Sequence, residues 1–175
     1  MHMKDTVVVD LDGTLADGRW RLHLLPPPER RHLDEAWAEF NLAGADDPAF
    51  QDTIDIVNAL ALTYRIIILT GRGAVAREVT EQWLDEAGVV YDKLIMREIG
   101  DCRKDTEMKL AALEDIGIEN IVCAFDDLPH IVDFMRGLGI TVYEVTRYED
   151  NHEYVHANAK YDGADSKVDG GKANG

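Results

Sequence analysis

The chain has 175 residues, 46% of them hydrophobic, with 34 acids against 18 bases for a formal net charge of −16. This length suits one domain with a substantial core, and no apolar run approaches membrane-spanning length. So acidic a chain argues against an extended grip on nucleic acid, which draws its affinity from many lysine and arginine contacts to phosphate.

Residues 5–10 are predicted as the first strand. Val7-Val8-Val9 is a β-branched run that leads straight into Asp10-Leu11-Asp12-Gly13-Thr14, so a buried strand ends in a polar loop. Two carboxylates this close together are poorly suited to burial, and need a cation or a strong hydrogen-bond network to stay ionised there. Residues 16–45 depart from simple alternation. Pro26-Pro27-Pro28 forces extended backbone, and 30–40 has helical character, with Leu33, Ala36, Trp37 and Phe40 on one face. This stretch reads as a small flap beside the site. Asp47-Pro48 has the form of an N-cap followed by a first-turn proline, opening a helix through about Leu62.

A second strand at 65–69 ends in Thr70-Gly71-Arg72, and a helix from Ala74 to Ala87 is closed by Gly88. A short strand at 93–96 precedes a charged loop at 97–104, and the helix over 105–116, which carries Lys109, stops at Gly117. The fourth strand, 120–125, runs into Asp126-Asp127; a helix over 128–138 and a fifth strand at 140–145 complete the series. This alternation predicts an α/β fold with a doubly wound parallel sheet. The folded domain is expected at 4–147. The Gly-, Asp- and Lys-rich end, 148–175, reads as a polar tail without fixed structure.

In an open parallel sheet, ligands gather at the carboxyl ends of the strands. The polar endings at Asp10–Thr14, Thr70–Arg72 and Asp126-Asp127 should therefore face one crevice. Bases fall in or beside the same segments, namely Arg19, Arg21, Arg72, Arg97, Arg103, Lys104 and Lys109. That distribution suits a short anionic substrate, or a strand end held by its terminal phosphate, within an otherwise acidic surface. Cys102 and Cys123 suggest no disulfide framework. No basic segment leads into an apolar stretch at the N-terminus, so a reducing cytoplasm is the expected setting.

The order Asp-x-Asp-Gly-Thr, Thr-Gly-Arg, Lys, Asp-Asp resembles the haloacid dehalogenase superfamily of phosphoryl-transfer enzymes. The chain is more closely similar to the 3′-phosphatase domain of T-even-phage-type polynucleotide kinase–phosphatases. The residues that carry this are Asp10–Ala16, Leu69–Arg72, Met96–Asp105, Lys109 and Phe125-Asp126-Asp127, with echoes at Val79–Leu84 and Met135–Ile140. The resemblance implies a haloacid dehalogenase-like, Rossmann-type sheet with a minimal cap, and a phosphomonoesterase acting on nucleic-acid 3′ ends or on nucleotides. A phosphatase of small nucleoside monophosphates and an inactive phosphate-binding module are the alternatives. The chain has no Gly-x-x-x-x-Gly-Lys-Ser/Thr loop, so kinase activity is not expected.

By position and by this resemblance, Asp10 is the expected nucleophile that forms an aspartyl-phosphate. Asp12 is placed to protonate the leaving oxygen and later to deprotonate water. Oxygen-only ligands indicate Mg²⁺, held by Asp10, the Asp12 backbone carbonyl and one of Asp126 or Asp127. The Thr70 hydroxyl and Gly71 amide can donate to the phosphoryl group, and Lys109 supplies positive charge beside it. Asp105, one turn before Lys109, could orient that amine. Arg72, Arg97 and Arg103 are candidate phosphate clamps, joined by Arg19 or Arg21.

Overall fold

The computed structural model describes residues 4–145. The first strand, β1 (Thr6–Val9), is buried along its whole length, as its unbroken β-branched run requires of a strand covered on both faces. Strands β2 (Arg65–Gly73), β3 (Lys93–Arg97), β4 (Ile121–Asp126) and β5 (Val142–Glu144) join it in one sheet of order β3-β2-β1-β4-β5. Every pairing is parallel, with Val7 beside Ile66 and Cys123, and Val9 beside Ile68 and Phe125. Strand order reverses on either side of β1, the place where an open α/β sheet forms its ligand crevice.

Side chains alternate across the sheet and build two apolar layers. Val7, Val9, Ile66, Ile68, Cys123 and Phe125 pack against helices α2 (Gln51–Leu60) and α3 (Arg77–Glu86), through Ile54, Val57, Trp83 and Leu84. On the opposite face Val8, Leu69 and Ala124 meet α4 (Asp105–Ile116) and α5 (Pro129–Gly137), through Met108, Leu113, Ile131, Val132 and Met135. The result is the doubly wound α/β sandwich that the sequence pattern predicts.

Two expected helices differ. The helix expected over 30–40 is a pair of 3₁₀ turns, Pro28–Arg30 and Asp34–Trp37, followed by the short helix α1 (Ala38–Leu42). Side chains there bond to backbone outside their own turns instead of supporting a regular helix: Trp37 Nε1 donates to the Arg31 carbonyl at 2.8 Å, and Asp34 accepts from the distant Gly100 amide at 3.0 Å. Trp37 and Phe40 are buried with Ala36, Leu24 and Leu25 in a small cluster of their own. The helix expected to open at Asp47 opens at Gln51 instead, because the Asp47 side chain is drawn into the interior by two arginines.

The excursion at 16–45 leaves and rejoins the sheet domain through a bridge of Ala16 with Ala49. The tail expected at 148–175 lies outside the described residues. Among the described residues no helix is long and apolar enough to cross a membrane.

Candidate active site

The turn after β1 sets the site. Gly13 has φ +81°, and a Cβ built on it would lie 2.0 Å from Asp127 Oδ2. Only glycine both adopts this backbone and lets it close on the Asp127 carboxylate. The loop after β1 and the loop after β4 are thereby pressed together, and Asp10, Asp126 and Asp127 offer carboxylate oxygens within 4.8 Å of one another, all buried.

Lys109 reaches this cluster from α4. Its Nζ donates to Asp10 Oδ1 at 3.0 Å and to Asp126 Oδ2 at 2.6 Å. Asp126 Oδ1 also accepts the Leu128 amide at 3.0 Å, while both Asp127 oxygens are buried without a protein partner. Three carboxylates thus face one ammonium. Burial opposes the charge on Lys109, but the fields of Asp10 and Asp126 outweigh it and hold the ammonium well above its ordinary range. For the acids the balance goes the other way. Burial, with Asp126 and Asp12 nearby, pushes Asp10 up to about 8 although Lys109 pulls against it. Burial, with Asp126 and Asp10, likewise raises Asp127 well above the carboxylate range. A lone lysine cannot neutralise the cluster; a divalent cation fits both the surplus charge and the unpartnered oxygens of Asp127.

Asp12 lies in a different setting. Arg72 donates to it from Nη2 at 2.6 Å and from Nε at 3.2 Å, and Arg21 donates from Nη2 at 2.5 Å. Burial would raise its carboxyl, but the two guanidiniums hold it well below the usual carboxylate range. Without a cation, Asp10 therefore holds its proton while Asp12, two residues away, is ionised; a cation beside Asp10 is what would ionise the expected nucleophile.

Of the two alternatives at the start of the flap, Arg21 is the one that meets Asp12. Arg19 is paired with Asp17 at the surface. Arg97 is buried, bonded to Asp105 and to the carbonyls of Arg103 and Asp101 at 2.8 and 3.2 Å; Arg103 is exposed and paired with Asp101 at 2.7 Å. Asp105, expected beside the Lys109 amine, accepts from Arg97, while Lys109 turns to Asp10 and Asp126. Thr70 is buried and accepts the Arg72 amide at 3.0 Å. Thr70 and Gly71 line a cavity of about 40 Å³ together with Asp10 and Lys109.

The flap roofs that cavity with Trp37, Phe40 and Asn41. Phe40 also carries the Arg21 guanidinium 4.1 Å above its ring. These residues and Asp47 were not legible as site residues in the sequence. The flap was expected beside the site, but an apolar helical stripe and an Asp-Pro cap have ordinary structural readings, and nothing local singles out these side chains.

Residues 4–149 match the family model described as the polynucleotide kinase PNKP phosphatase domain. Among solved structures, a chain of the Pnkp1/Rnl/Hen1 complex is 26% identical with a TM-score of 0.67, covering 85% of this chain and 47% of that one. A chain of the Pnkp1/Rnl/Hen1 RNA repair complex is 27% identical with a TM-score of 0.66, over 84% of this chain and 44% of that one. This chain thus spans less than half the length of those relatives. A haloacid dehalogenase-like hydrolase from Streptococcus pneumoniae shares the fold at 16% identity, with a TM-score of 0.56 over 81% and 84% of the two chains. No curated protein matches. The chain belongs to the family of polynucleotide kinase PNKP phosphatase domains, and is a haloacid dehalogenase-like phosphatase.

Proposed function

We propose that the chain is a Mg²⁺-dependent phosphomonoesterase that works through an aspartyl-phosphate on Asp10 and releases phosphate from nucleic-acid 3′ ends or from nucleotides. The observation that carries this reading is the Lys109 Nζ bridging Asp10 and Asp126 within a buried cluster of acids. Such a site cannot be satisfied by the protein alone. Likeness to chains of an RNA repair complex supports a nucleic-acid end as substrate.

In this reading the Asp10 carboxylate attacks phosphorus in line, forming a new P–O bond as the bond to the leaving oxygen breaks. Asp12, ionised in the free site, takes up a proton as the anionic phosphate enters beside it and delivers that proton to the departing oxygen. Asp12 then takes a proton from water, which attacks the aspartyl-phosphate and frees Asp10 and inorganic phosphate. The Thr70 hydroxyl, the Gly71 amide and Lys109 stabilise the transferring group. Asp10, the Asp12 carbonyl and Asp126 or Asp127 would hold the Mg²⁺, which when bound neutralises negative charge on the phosphoryl oxygens. Residues 16–45 serve as a small cap whose Trp37, Phe40 and Asn41 close over the reacting group. Cys102 and Cys123 are both free thiols, in keeping with a reducing cytoplasm.

Free nucleoside monophosphates are the second reading, favoured by the net charge of −16. The deciding assay compares, with Mg²⁺, a 3′-phosphorylated oligonucleotide, a 5′-phosphorylated one, and nucleoside 3′- and 5′-monophosphates. Preferred hydrolysis of the 3′-phosphorylated strand is expected, with similar efficiency for short and long strands because few phosphates are gripped. Preference for the monophosphates selects the second reading, and binding without hydrolysis of any of them returns the site to an inactive module.

A cation at Asp10 and Asp127 also has a stability signature. Both acids keep a proton in the folded, metal-free protein at pH values where they have lost it unfolded. The folded state then binds more protons, so metal-free stability falls as pH rises from the ordinary 3.8 of an aspartate towards about 8. Mg²⁺ binds the deprotonated form, so the gain in melting temperature on replacing EDTA with Mg²⁺ should be larger at pH 8 than at pH 5.5. An equal gain at both would remove these acids from the cation site.

A further inference from the structure

We propose that Asp47 is a positioning residue for phosphoryl transfer: by yoking Arg21 and Arg72 it fixes the Asp12 carboxylate where the leaving oxygen departs. The inference rests on the role given above to Asp12.

The four side chains form a closed ring. The Arg21 and Arg72 Nη2 atoms meet on one oxygen of Asp12, at 2.5 and 2.6 Å. The same two nitrogens meet again on one oxygen of Asp47, at 2.7 and 3.1 Å. Arg21 Nε and Trp20 Nε1 donate to the other Asp47 oxygen at 2.7 and 2.9 Å. Asp47 thus accepts from four donors, which fills the acceptor capacity of a carboxylate, and its side chain is wholly buried.

Two guanidiniums that converge on one oxygen repel each other, and the repulsion is strong away from water. With Asp12 alone they would carry a surplus positive charge and would spread apart. Asp47 on the far side brings the ring to neutrality and holds the two Nη2 donors together on one oxygen. Its own place is fixed by the backbone: the Asp47 carbonyl accepts Trp83 Nε1 at 2.8 Å, and the neighbouring Pro48 carbonyl accepts the Asp17 amide at 2.8 Å. Arg21 comes from the flap and Arg72 from the end of β2, so neither element could hold the pair by itself.

A simple clamp between flap and sheet would also account for the burial of Asp47, and the leaving group separates the two roles. Asp47→Asn keeps the shape and removes the charge. With saturating Mg²⁺ it is compared with the wild type on a 3′-phosphorylated dinucleotide, whose alkoxide must be protonated, and on p-nitrophenyl phosphate, whose phenolate departs unaided. The expected result is a kcat about 30-fold lower on the dinucleotide and less than about threefold lower on the aryl ester, with KM little changed on either. Equal losses on both esters, or no loss on either, would overturn the proposal. If melting shows Asp47→Asn unfolded, Asp47→Glu, which keeps the charge but moves it by one methylene, carries the same comparison: a loss selective for the dinucleotide supports the proposal and an equal or absent loss overturns it. Glycerol 2-phosphate separates the two readings. If the wild type cleaves it but not the dinucleotide, only the substrate assignment falls, and Asp47 is judged on the glycerol ester. A wild type that cleaves none of the three esters overturns both readings.

Discussion

Asp10→Asn is expected to abolish phosphate release, by at least about four orders of magnitude, while the protein remains folded. The substitution is close to isosteric, and its amide oxygen can still accept from Lys109, which lies 3.0 Å from Asp10 Oδ1. An amide oxygen, however, cannot form the acyl-phosphate. The fold should not suffer. Asp10 stands against Asp126 and Asp127 with a single ammonium between them, so an uncharged amide there spares the metal-free cluster a negative charge above about pH 8 and loses no charge pairing below it. The melting temperature in EDTA should therefore equal or exceed that of the wild type. Near wild-type turnover by the purified variant would falsify the nucleophile assignment, whatever its stability.

Lys109→Ala is expected to lower kcat by several hundredfold at saturating Mg²⁺, on the order of removing one well-placed charge stabiliser from the reacting group. Here stability should fall as well, because Asp10 and Asp126 lose their shared ammonium in a buried setting. Lys109→Arg should recover only part of the rate. A planar guanidinium spreads its charge over a fork and cannot reproduce the point contact at 2.6 Å with Asp126 and 3.0 Å with Asp10. Single-turnover kinetics on folded variants measure the loss in the chemical step. An Ala variant as fast as the wild type would leave Lys109 with a purely structural part, and an Arg variant as fast as the wild type would make its charge alone sufficient.

Much of the architecture is written locally. A β-branched run such as Val7-Val8-Val9 can only be a strand buried on both sides, and three such runs with polar endings place Asp10, Thr70 and Asp126-Asp127 at one edge of one sheet. The helix over 105–116 falls where spacing puts it, and it carries Lys109 into the site. A flap at 16–45 was expected, but the pairing of its charges was not legible in the same way. Asp47-Pro48 has the local form of a helix start, yet partners from residues 20, 21 and 72 decide its role. The same holds for Arg97 and Asp105, whose bond crosses from the end of β3 to the start of α4. Local propensity fixes an element's type; which charge pairs with which depends on the packing of elements far apart in sequence.

The position of β1 has a consequence for how the molecule is made. Among the described residues it is the first strand and the central one in the sheet, with β2 on one side and β4 on the other. During synthesis β1, β2 and β3 can pair as they emerge, but one edge of β1 stays open until β4 has followed. Asp126 and Asp127 arrive with β4, and Lys109 sits on the helix just before it. The phosphoryl site is therefore absent from any sheet that lacks β4 and forms only when β4 docks beside β1.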